Sequence, residues 1–200
     1  MKRIAVSIFL LALSACSASS LLAPSGSPAK LYTLSTPQNV VVSAPRADWQ
    51  LLVDVPAAQL GLNTPRIATR PEPSRLDYYA NVAWEDRPPV ILQGLLLRAF
   101  ENSQKIAAVD RQTGRVRADF TLDSELHDFQ AEESAGTVHV GISARLVRAR
   151  DRTIVASRDF EASVPISSGI DGIIAGFEGA LGQLLPQIVD WTLNEGSRNS

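Results

Sequence analysis

Two hundred residues carry 19 Lys and Arg against 21 Asp and Glu, a net charge of −2, with two histidines and one cysteine. So even a balance leaves no basic patch for nucleic acid or for polybasic lipid contact, and one cysteine allows no internal disulfide, so the fold rests on packing. The length suits one domain with a real core.

Lys2 and Arg3 precede an apolar run from Ile4 to Leu13, which closes in Leu13-Ser14-Ala15-Cys16. This is the form of a bacterial lipoprotein signal: residues 1–15 are a cleaved signal peptide and Cys16 is the lipid attachment site. The run is about half of the ~20 residues a membrane-spanning helix needs. Several acyl chains on one cysteine satisfy the two-signal requirement for stable anchoring. A buried structural thiol and a nucleophile are the competing readings of Cys16, and neither expects this context. Ser17 follows. In two-membrane bacteria an Asp there retains a lipoprotein at the inner membrane, so Ser17 favours the outer membrane, facing the periplasm. Loss of Lys2 and Arg3 leaves 17 basic residues against 21 acidic.

Residues 16–30, rich in Ser, Ala, Pro and Gly, read as a lipidated flexible tether. Its fourteen residues after Cys16 reach roughly 50 Å at full extension and about 20 Å as a coil. The folded domain is expected over residues 31–195, with a disordered tail over 196–200.

From Lys30 the pattern is that of a mixed α/β domain. Lys30 to Leu34 is a short extended piece, and Trp49, Leu51, Val53 and Val55 alternate with Gln50, Leu52 and Asp54 as in a half-buried strand. A short strand at 66–69 leads into the alternating Leu76, Tyr78, Ala80, Val82 and Trp84. Gly61-Leu62-Asn63 and Pro71-Glu72-Pro73 read as turns. Pro88 and Pro89 open an apolar helix through Phe100, since proline costs nothing at a first turn. Glu85-Asp86 reads as its dipole-stabilised cap rather than as an acid/base pair. A strand at 106–109 and a turn at Thr113-Gly114 follow.

Residues 117–165 read as a three-stranded antiparallel meander with loops at 131–136 and 150–152. Pairing Leu126 with Val140, Leu122 with Ala144 and Phe120 with Leu146 puts the apolar residues on one face. The second hairpin's register stays open, because Arg158 interrupts its apolar face. That register sets His127 opposite His139. Two imidazoles invite a metal or a pH switch, but without a third ligand beyond Glu125 or Asp128 they read as a solvated cross-strand pair.

A closing helix spans about 169–194, with Ile170, Ile173, Ile174, Phe177, Leu181, Leu184, Leu185, Ile188 and Trp191 in one apolar stripe. At steps of about 100°, Gly172, Gly176, Gly179 and Gly182 fall roughly opposite it. Glycine in an exposed helix interior costs ~1 kcal/mol relative to Ala. The strip is therefore a candidate interface where a neighbouring subunit or helix approaches, unless the helix starts later. Pro186 implies a kink or a break into two helices.

The fold class is therefore α/β (α+β-like), a single domain with a mixed β-sheet, an antiparallel meander and two main helices packed on it. No metal spacing, Walker loop, dinucleotide fingerprint or nucleophile elbow is present, so neither catalysis nor a cofactor is expected. Trp84 and Arg87, at the corner from Trp84 to Pro89, are either interface residues or, for Trp84, core.

The lipobox, the tether, Leu31-Tyr32-Thr33-Leu34, the stretch from Leu76 to Pro89 with its Tyr78-Tyr79-Ala80, Trp84, Asp86 and Pro88-Pro89, and the helix ending in Trp191 together resemble the ABC-type transport auxiliary lipoproteins, the PqiC-like group. The resemblance covers essentially the full mature chain. It implies a mixed-sheet α/β domain, a non-catalytic role beside MCE-type lipid transport machinery between two membranes, ring-like homo-oligomers and docking of a periplasmic MCE component. The rival readings are an outer-membrane lipoprotein assisting envelope assembly and a module binding a small apolar ligand; an enzyme comes last.

Overall fold

The computed structural model describes residues 28–38, 40–111 and 117–200. The signal segment, Cys16, most of the tether and the turn at Thr113-Gly114 lie outside the described residues. In chain order the described residues form β1 (Lys30–Tyr32), β2 (Ala47–Val53), β3 (Ala57–Ala58), β4 (Arg66–Glu72), β5 (Arg75–Trp84), α1 (Pro88–Ser103), β6 (Ile106–Arg111), β7 (Phe120–Glu132), β8 (Thr137–Arg148), β9 (Thr153–Pro165) and α2 (Gly169–Asn199). The nine strands make one mixed sheet, a single α/β domain as the patterning predicts.

The long strand β7 organises the sheet. One side of it pairs antiparallel with β8 along nearly its whole length, and β8 pairs likewise with β9. Its other side is shared in succession by β2, β3 and β4, all parallel to it. Beyond them β6 extends β2 in parallel, while β5 and β1 extend β4. The sheet is thus whole on one side of β7 and notched on the other.

The register of the first hairpin differs by two residues from the expected one: Leu126 pairs with Ile142, Leu122 with Leu146 and Phe120 with Arg148. A two-residue slip keeps every side chain on its face, so alternation alone cannot choose between the two registers. The turn chooses. Gly136 takes φ +63°, and the Ala135 and Gly136 N–H groups bond to the carbonyls of Glu132 and Glu133. A bulge between Leu126 and Asp128 then brings Leu126 and Phe129, three apart in sequence, onto the same buried face. In the second hairpin Ile142 pairs with Phe160 and Val140 with Ala162, and Arg158 is accommodated with its guanidinium 5.1 Å above the Phe160 ring.

Other boundaries move for local reasons. β2 ends at Val53 and leaves Val55 exposed. β4 runs through Pro71 and Glu72, where a turn is expected, before Glu72 pairs with Arg75 across a tighter one. In β5, Asn81 takes φ 60° beside a register shift, and Trp84 ends up buried. Pro88 starts α1 with Arg87 at the cap position and no side-chain cap bond, so Glu85 and Asp86 are not caps; Asp86 Oδ1 accepts the Arg87 N–H at 2.6 Å.

Both helices lie on one face of the sheet, α2 over β8 and β9 and α1 beside it over β6. Phe177 from α2 meets Trp84 edge-on at 5.1 Å and Phe129 at 4.6 Å. Burying each such side chain contributes about 1.5–3 kcal/mol. α2 begins at Gly169, neither breaks nor stops at Pro186, and continues to Asn199, so residues expected as a tail are helical. The placement of the glycines is corrected too. Gly176 is buried against Val138 and Ile166, Gly179 lies over Val164, and Gly172 abuts the Ser167 backbone. Gly176 and Gly179 line the flank of α2 that faces this chain's own sheet, where small residues let helix and strand approach, while Gly172 meets the loop before the helix and Gly182 keeps open space around it. The buried sector is wider than the Ile and Leu stripe because the sheet covers one flank and α1 the other.

The connection from β1 to β2 straps the helices. Leu34, Val40 and Ala44 are buried in it. Asp190 Oδ1 accepts the N–H groups of Ser43 at 2.6 Å and Ala44 at 2.9 Å, and the Arg98 Nε–H donates to Thr36 Oγ1 at 3.0 Å. Burial pushes the Asp190 carboxyl up, but these N–H donors, the Ser43 hydroxyl and Asn194 pull it further down, so it lies below the usual carboxylate range.

Candidate docking surface

The ends of β1 and β5, the loop before β4 and the start of α1 meet at one corner. The Trp84 N–H donates to the Pro65 carbonyl at 2.7 Å and the Glu85 N–H to the Tyr32 carbonyl at 2.9 Å, which ties the end of β5 to the loop before β4 and to the end of β1. Arg87 Nη1 donates to Asn63 Oδ1 at 3.2 Å, linking the start of α1 to the same loop. The Arg87 side chain is half exposed and its nearest carboxylate, Asp86, is 4.0 Å away. At this separation and exposure an ion pair contributes little, so most of the guanidinium's donors stay free.

Apolar side chains stand out on the same segments. Leu60, in the loop that carries Asn63, is 90% exposed, and Leu31, on the strand that leaves the tether, is 67% exposed. A lightly paired guanidinium and uncovered leucines on segments tied to one another have the composition of a protein contact. Sequence patterning does not reveal Leu60 or Leu31, since a leucine beside a turn or in a short strand reads as core until the tertiary structure leaves it bare.

Trp84 is not part of that surface. It is 1% exposed and stacked among Phe129 and Phe177, so its role is packing. His127 and His139 do not face each other. His127 sits at the β7 bulge with Nε2 2.6 Å from Ser143 Oγ, while His139 pairs across from Gln130 with Nδ1 2.8 Å from Ser163 Oγ. The shifted register and the bulge separate them, and among the described residues no group of three His, Cys, Asp or Glu side chains is arranged to hold a metal. Gly176 and Gly179 lie on the sheet-facing flank of α2, Gly172 lies against the loop before it, and Cys16 precedes the described residues.

The family model of the ABC-type transport auxiliary lipoprotein component matches residues 32–189. Protein XCC0632 from Xanthomonas campestris, a DUF330 protein known from a crystal structure, is 32% identical with a TM-score of 0.80, covering 86% of this chain and 98% of that one. The hypothetical protein CT253 from Chlamydia trachomatis shares the fold at 10% identity and a TM-score of 0.52, over 75% of this chain and 99% of that one. The uncharacterized protein bll6063 from Bradyrhizobium diazoefficiens is 29% identical over 172 residues, 84% of this chain and 46% of that protein, so the chain spans about half the length of this curated relative.

Proposed function

This chain belongs to the ABC-type transport auxiliary lipoprotein family, and from that premise we propose that it is a non-catalytic, membrane-anchored component of an ABC/MCE-type lipid transport system that acts as a docking and assembly partner. The observation that carries the reading is the family match across nearly the whole folded domain. Lipid on Cys16 holds the protein at the outer membrane on its periplasmic side, as Ser17 suggests. The tether follows, and the domain enters its sheet at β1, next to the Arg87 corner. A partner held near a tethered domain binds as though at raised local concentration, so modest contacts at Arg87, Leu60 and Leu31 suffice. Copies of the chain assemble with one another in the same system.

A photo-crosslinking residue at Leu60 tests this in native envelopes, with mass spectrometry of the captured protein. Recovery of an MCE protein or of ABC transporter subunits is expected. Replacing Arg87 with Ala is expected to reduce that capture while changing stability by no more than about 0.5 kcal/mol, because the residue is exposed and weakly paired. Capture of neither MCE nor ABC components from an intact envelope would sink the proposal.

A further inference from the structure

A cavity of about 880 Å³ opens where β2 and β7 begin and where β8 and α2 end, far along the sheet from the Arg87 corner. Its inner wall is set by register. Phe120 pairs with Leu51 on one side and with Arg148 on the other, so Trp49, Phe120 and Arg148 share the helix-covered face. Arg148 therefore holds an inward position, with its side chain 21% exposed. One terminal nitrogen reaches Asp151 at 3.2 Å, but its Nε–H meets no acceptor. Neither does the indole Nε1–H of Trp49, a residue 4% exposed. Arg117 and Arg150 stand at the same cavity. Asp48 and Asp119 line the cavity too, Asp119 accepting the Gln50 N–H at 2.8 Å, and Asp151 lies 3.8 Å from Arg150 as well as close to Arg148.

Buried N–H groups without acceptors are rare in folded proteins because each loses its water partner for nothing. Here two of them border a cavity whose lining holds three arginines. A ligand rich in acceptor oxygens and negative charge relieves the unmet donors and takes up guanidinium N–H groups that the neighbouring carboxylates leave over. A phosphate presents oxygens in several directions and carries charge enough for more than one arginine, where a carboxylate presents two oxygens in one plane. The cavity also exceeds what a bare phosphate fills, leaving room for the group that carries it.

We propose that this cavity binds a phosphate group, of a phospholipid headgroup or a soluble phosphate ester, held by Arg148 and Arg117 with the Trp49 indole as a further donor. The unmet donors are shielded from solvent, and the flexible Arg148 side chain swings to meet the anion. The site stands independently of the transport reading, since it uses none of the Arg87 corner.

The test uses mature lipidated protein in detergent micelles, titrated with inorganic phosphate against chloride at equal ionic strength, and separately placed in micelles doped with phosphatidic acid. Thermal midpoint and tryptophan emission are read in both. A saturable response is expected, weakened about tenfold or more in Arg148→Gln and in Arg117→Gln, with the emission change lost in Trp49→Phe. Arg117 is exposed, so its variant carries the test if Arg148→Gln fails to fold. A response to phosphatidic acid alone assigns the site to a headgroup, and a response to both probes assigns it to phosphate esters at large. No saturable response to either probe, or equal responses in the variants and the parent, overturns the proposal.

Discussion

The two faces of β7, β8 and β9 are built from the same strands in the same register, yet different physics governs them. On the helix side, Phe120, Leu122, Leu126, Val138, Val140, Ile142 and Phe160 are almost fully buried. There each side chain has a fixed volume to fill, and a change of one methyl group is felt. The opposite face carries polar ladders. His127 meets Ser143, whose hydroxyl donates to Asp159; His139 meets Ser163; and Arg145 pairs with Asp123 at 3.1 Å. These side chains are exposed or half-buried, so water screens and replaces their contacts. The turn at Gly136 and the bulge at His127 set the register that both faces share. The histidines, which look chemically suggestive in sequence, are therefore placed by backbone geometry rather than by chemistry of their own.

The contrast can be broken by substitution. The largest expected effect is at Phe177, where truncation to Ala removes the ring between Trp84 and Phe129 and is expected to cost about 4 kcal/mol in chemical denaturation. A loss below about 1 kcal/mol would mean that the helix-covered face is not volume-limited.

Gly196→Ala comes next. A Cβ there would overlap the buried Trp49 ring, so overpacking at about 1–3 kcal/mol outweighs the ~1 kcal/mol helix-propensity gain. A lower thermal midpoint with altered near-ultraviolet dichroism is expected, and a rise in midpoint would show that the end of α2 does not seat on Trp49.

Asp190 gives a smaller effect that depends on pH. Its folded carboxyl is depressed, so its contribution is fully present above the unfolded-state value and is lost as pH falls through the lower folded value. Asp190→Ala is expected to cost about 1–2 kcal/mol near neutrality, when the Ser43 and Ala44 N–H groups lose their acceptor. The difference from the parent should vanish below the folded carboxylate range, with amide exchange at Ser43 and Ala44 as the local readout. An unchanged difference in acid would separate the strap's stability from this carboxylate.

The smallest effect is predicted for His127→Ala on the polar face, within about 0.5 kcal/mol. A destabilisation several times larger would show that the His127–Ser143–Asp159 chain is structural, and would erase the distinction between the faces.

Alternation and spacing by themselves determined a good deal. Trp49 to Val53 and the runs in β7 to β9 read as strands because period two leaves one apolar face, and Pro88-Pro89 and the Ile and Leu stripe from Ile170 read as helices for the corresponding reason at period 3.6. The lipobox, the tether, Leu31-Tyr32-Thr33-Leu34, the stretch from Leu76 to Pro89 and the closing helix together resemble the family, and the family match agrees. Exposure of Arg87 fits a contact residue, but Trp84, three positions away, went to the core.

What only the tertiary structure decided are quantities that local pattern leaves degenerate. A register slip of two preserves every face, so the turn at Gly136 and the bulge at His127 had to settle it. A helix's buried sector depends on how many neighbours flank it, so Gly176 and Gly179 of α2 were placed against the sheet. Whether Leu60 and Leu31 are covered, and whether Trp49 and Arg148 find acceptors, depends on chain segments far away in sequence. Burial and hydrogen-bond satisfaction are properties of the assembled surface, which no local window of the chain contains.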